Sequence, residues 1–100
     1  LASTTTSANY ALSALPDTVP PKPGLARVAA DGYAIEVEVW ELPLRRFGEF
    51  VAEVPPPLAI GTVELQDGRL VKGFVCEPAA LAGATDISHF GGWRRYLASR

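Results

Sequence analysis

The stretch LAIGTVELQDGRLVKGFVCE, Leu58 to Glu77, leaves this chain the fewest options. Two runs rich in β-branched and aliphatic residues flank Asp67-Gly68, a dipeptide suited to the positive φ of a tight hairpin turn. A two-residue turn there sets Leu65 opposite Leu70, Val63 opposite Lys72, Thr62 opposite Gly73 and Gly61 opposite Phe74. Glycine inside a strand marks a sharp bend or a close backbone approach. An aromatic facing it covers the gap. Two such glycines predict strongly coiled strands, as in a small closed sheet.

Other segments must build around that hairpin. YALSAL, Tyr10 to Leu15, alternates large and small side chains and reads as a strand. PDTVPPKPG then forces a rigid loop, since proline neither donates to a ladder nor continues a helix. LARVAA reads as a short second strand, and Asp31-Gly32 as a turn. In YAIEVEVWEL, period-two spacing puts Ile35, Val37 and Val39 on one face and Glu36, Glu38 and Trp40 on the other. Pro43 suits a helix start, and Leu44, Phe47, Val51 and Val54 recur at helical spacing until Pro55 to Pro57 stop them. Pro78 opens a short helix that Gly83 ends, and Asp86 or Ser88 caps the last turn. Phe90, Trp93 and Leu97 then share a helical face. Residues 1–9, small, polar and unpatterned, read as a disordered tail or linker, leaving residues 10–100 as one domain. With no methionine anywhere, the chain reads as a piece of something longer.

Charge and cysteine usage remove several function classes. A net charge of −2 lacks the basic footprint that nucleic acid requires. No apolar run approaches the ~18 residues of a membrane span. One cysteine, Cys76, precludes an internal disulfide and fits a reducing, cytoplasmic setting. One cysteine and one histidine are too few for a structural zinc site. No metal or other cofactor is expected.

Two places invite chemistry. Gly91 and Gly92 stand at the start of the last helix, each costing about 1 kcal/mol against alanine. The steric explanation is that the helix start lies flat on another element and Trp93 fills the space beside it. The chemical explanation is that free N–H groups there attract an anion, with Arg94 and Arg95 adding charge-assisted bonds. His89 has no partner near it in sequence and reads as a surface or capping residue. On the strand, Glu36 and Glu38 stand about 6.6 Å apart on one face. Buried, such a pair makes a general acid or base; wet, it is only the polar side of a strand. Cys76 reads as a small buried hydrophobe.

Taken together, YALSALPDTVPPKPGLARV, IEVEVWELP, IGTVELQDGRLVKGFVCEP and DISHFGGWRRYLAS resemble the C-terminal domain of allophanate hydrolase, from about Tyr10 to Ser99. The pattern is also similar to gamma-glutamylcyclotransferase-like proteins. That likeness implies an α+β fold: a small mixed, mostly antiparallel β-barrel with short flanking helices. It further implies a part in urea breakdown, promoting decarboxylation of N-carboxycarbamate, a small dianion, next to an amidase domain of the same enzyme. Such domains begin with a further strand and a histidine-bearing loop that residues 1–9 do not match, and His89 is not put in that histidine's place. On this reading Glu38 is the catalytic candidate. Arg94, Tyr10, Trp40, Gly91 and Gly92 are the substrate-binding candidates. A rival reading makes the chain a non-catalytic structural or oligomerisation module of an amidase, with a homo-oligomer left open.

Overall fold

The computed structural model describes residues 2–100. In chain order the elements are β1 (Ala2–Thr5), β2 (Tyr10–Ala14), β3 (Pro23–Arg27), β4 (Glu36–Val39), α1 (Leu44–Ala52), β5 (Leu58–Glu64), β6 (Leu70–Cys76), β7 (Thr85–Asp86) and α2 (Trp93–Ala98). Short 3-10 turns cover Pro78–Leu81 and Ser88–Phe90. The architecture is a small α+β domain with antiparallel sheets and few helices. No helix among the described residues is long and apolar enough to cross a membrane.

The strands do not close into the expected barrel. They form three small sheets, β1–β4, β3–β2–β7 and β5–β6. Single bridges, Thr6 to Leu65 and Tyr10 to Tyr33, link them where continuous ladders would be needed for closure. A groove stays open between β4 and the β5–β6 hairpin.

The residues expected to be a tail are ordered from Ala2 onward, while Leu1 lies outside the described residues. Ala2 to Thr5 pair in register with Val39 to Glu36. Ala2 and Ser3 are exposed, so no buried face imposes an apolar alternation on this strand. Its continuation is anchored by Thr6, which is fully buried. Thr6 Oγ1 accepts the Ile35 N–H at 3.0 Å and donates to the Ser7 carbonyl at 2.7 Å. A buried hydroxyl satisfied on both sides carries no desolvation penalty from unmade bonds.

The hairpin forms, with a register one residue away from the two-residue expectation. Gly61 faces Gly73, Thr62 faces Lys72, Val63 faces Val71 and Ile60 faces Phe74. The cause is the turn. Gly68 N–H donates to Leu65 O at 3.0 Å, and Leu65 N–H to Arg69 O at 2.9 Å. Gly68 takes φ 89°, giving a three-residue loop with a left-handed glycine. Asp67 fixes this geometry by accepting from the Arg69 N–H at 3.0 Å and from Arg69 Nε at 2.8 Å. Phe74 therefore covers no glycine, and its ring sits 5.7 Å from that of Phe50 on α1.

Tyr10, Leu12, Ile35, Val63 and Ile87 make the core, with Phe90, Trp93 and Tyr96 packed over it. The C-terminal segment reaches this core through β2. Ser88, fully buried, accepts the Leu12 N–H on its Oγ at 2.8 Å, while the Ile87 N–H donates to Leu12 O at 2.8 Å. A side-chain hydroxyl thus prolongs the two-residue β7 ladder. Neither capping candidate caps the 3-10 turn, whose N-cap position is Ile87 with no side-chain cap bond; the Asp86 carboxylate instead accepts the Ser88 N–H at 2.8 Å, two residues on. The apolar face of this segment is Phe90, Trp93 and Tyr96; Leu97 is 42% exposed. Gly91, at φ 84°, ends the 3-10 turn in a left-handed conformation, and α2 restarts in a new phase.

Candidate functional site

An open groove of about 960 Å³ runs between β4, α1 and the β5–β6 hairpin. Val37, Val39, Phe47, Phe50, Ile60 and Phe74 line its sides, and core residues such as Leu12 and Ile35 also reach it. The sequence builds it simply. The apolar face of β4 points inward, and α1 stands across it with no buried residue of its own. Lys22, Lys72, Glu36, Glu38 and Glu41 bring charge to an otherwise apolar wall. Lys72 Nζ donates to Thr62 Oγ1 at 2.9 Å.

Two of the candidates meet. Arg94 Nη2 lies 3.1 Å from Glu38 Oε1, and one step along the strand Arg95 Nε lies 2.9 Å from Glu36 Oε1. The two-residue period of β4 and the start of α2 set these parallel pairs. They are exposed, the Arg94 side chain at 82%. Each is worth about 1 kcal/mol at most. The glutamate face is therefore wet, and Trp40, 67% exposed, does not bury it.

The glycines resolve in favour of docking. Gly91 O accepts the Glu36 N–H at 2.8 Å. A Cβ on Gly92 would stand 2.8 Å from Glu36 Oε1 and 3.1 Å from the Glu36 Cβ. The start of α2 is pressed against β4, and the carboxylate beside it is the protein's own. Tyr10 sits apart from these groups. It is 1% exposed in the core, and its hydroxyl accepts the Glu64 N–H at 2.9 Å. Trp40 does lie along the groove.

His89 stacks on Phe90 with ring centroids 4.3 Å apart. Among the described residues, no three His, Cys, Asp or Glu side chains converge as a metal site would require. Cys76 is buried, and desolvation pushes its thiol above the usual range. The groove escaped the sequence reading, although the helical recurrence of Leu44, Phe47 and Val51 was its one visible signal. Thr6 gave no signal and Ser88 stood out only as a possible cap, because a buried hydroxyl that holds core strands looks like any surface one in sequence.

Comparison with known proteins adds what geometry alone does not. The family model described as allophanate hydrolase C-terminal domain matches residues 1–98. A urea amidolyase from Lachancea kluyveri is 48% identical over 101 residues, covering 97% of this chain and 6% of that protein. The chain thus spans a small fraction of the curated relative's length. The crystal structure of Kluyveromyces lactis allophanate hydrolase matches with TM-score 0.94 at 48% identity, covering 99% of this chain and 17% of that one. A uropathogenic E. coli protein matches with TM-score 0.88 at 35% identity, covering 98% of this chain and 75% of that one. On this whole-length agreement in sequence and fold, the chain belongs to the allophanate hydrolase C-terminal domain family.

Proposed function

We propose that this domain works within an allophanate hydrolase of urea degradation, promoting decarboxylation of N-carboxycarbamate. The observation that carries the reading is the family match across residues 1–98. In the reaction a C–N bond breaks and carbon dioxide leaves. The nitrogen keeps the electron pair and takes a proton, giving carbamate, which in turn yields ammonia and a second carbon dioxide. A dianionic substrate needs cationic partners, and a proton donor must face the departing nitrogen. Arg94, whose guanidinium is exposed, is assigned to a substrate carboxylate. Glu38, at the groove wall beside it, is assigned to ordering the proton donor. Trp40 borders the same groove, while Gly91, Gly92 and Tyr10 support the elements that hold these groups. The amidase partner, the cytoplasmic setting and a kinship with gamma-glutamylcyclotransferase-like proteins belong to the same proposal.

A second reading, a structural or oligomerisation module, is favoured by one feature. Trp40, Leu42, Phe50 and Phe74 leave apolar surface exposed around the groove, as interfaces do. Carbon-13 NMR separates the two. Labelled allophanate is converted by a purified amidase domain, and decay of N-carboxycarbamate is followed with and without this chain. Faster decay that Arg94→Ala and Glu38→Gln slow supports chemistry here. Unchanged decay, with co-elution of the chain and the amidase domain, supports the module.

A further inference from the structure

We draw no further inference here: the strongest candidate, the open apolar groove between β4, α1 and the β5–β6 hairpin, is an unpartnered face, and nothing in the structure shows what covers it.

Discussion

Replacing Ser88 with alanine tests how the C-terminal segment is held. Ser88 is fully buried, and its Oγ is the acceptor for the Leu12 N–H at 2.8 Å. The return contact from Oγ to Leu12 O is longer, 3.4 Å, and adds little. Alanine keeps the backbone bond from Ile87 to Leu12 but removes the acceptor, leaving a donor inside the core. An orphaned buried donor costs about 1–3 kcal/mol. For a domain of this size 1 kcal/mol moves Tm by about 4–8 °C, so a loss near 2 kcal/mol lowers Tm by about 8–16 °C. Urea and thermal unfolding followed by tryptophan fluorescence measure this, with Leu12 amide exchange as the local readout. Ser99→Ala is the control, since Ser99 is exposed and bonds only within α2's last turn. Its effect is expected within about 0.5 kcal/mol of the parent. A Ser88→Ala variant as stable as that control, with Leu12 exchange unchanged, would refute the claim that the hydroxyl completes the ladder.

Gly92→Ala is expected to destabilise by about 1 kcal/mol, because the new methyl meets Glu36 Oε1 and Cβ. Adding Glu36→Ala should recover part of the loss, since it removes the Oε1 contact and keeps the one to Cβ, and a double-mutant cycle with no coupling would count against the Oε1 contact. Arg94→Ala should change stability by no more than about 1 kcal/mol at low salt, and by less as salt screens the exposed pair. A larger, salt-independent loss in denaturant titrations would mean the pair is buried in solution. Cys76 should resist iodoacetamide in the folded chain at neutral pH, since burial disfavours its thiolate, and react freely in urea. Equal labelling rates in both states, read by mass spectrometry, would contradict the burial. The backbone and side-chain hydrogen bonds from Arg69 hold the Asp67 carboxyl below its ordinary value of 3.8. The turn support it gives is therefore present above that value and is lost as pH falls through the lower folded value, which carboxyl carbon NMR resolves.

Much of the strand content was legible because period two leaves a mark when one face is buried. Ile35, Leu12 and Val63 each sit in such a pattern, and each is in the core. β1 left no mark, since its residues face solvent or are too small to show a preference. The hairpin register failed for a local reason. A type of turn was inferred from Asp67-Gly68 alone, whereas the choice depends on whether Asp67 bonds onward to Arg69. The face of the last helix failed because Gly91 breaks one helical phase into two. Among the candidate groups, spacing alone put Glu36 and Glu38 on one side of the strand, as found. That both would be met by consecutive arginines of α2 needs the tertiary path of Gly91 and Gly92, which no periodicity encodes.

The bond between Leu12 and Ser88 spans 76 positions of chain. At translation speeds of about 5–20 residues per second, roughly 4–15 s separate the synthesis of its two ends. For that interval β2 is available to β3 but lacks Ile87 and Ser88, and the face of Tyr10 and Leu12 lacks Phe90, Trp93 and Tyr96. A nascent chain therefore carries an incomplete core until its last turn is made, and a truncation after Gly83 is expected to be retained by chaperones or degraded.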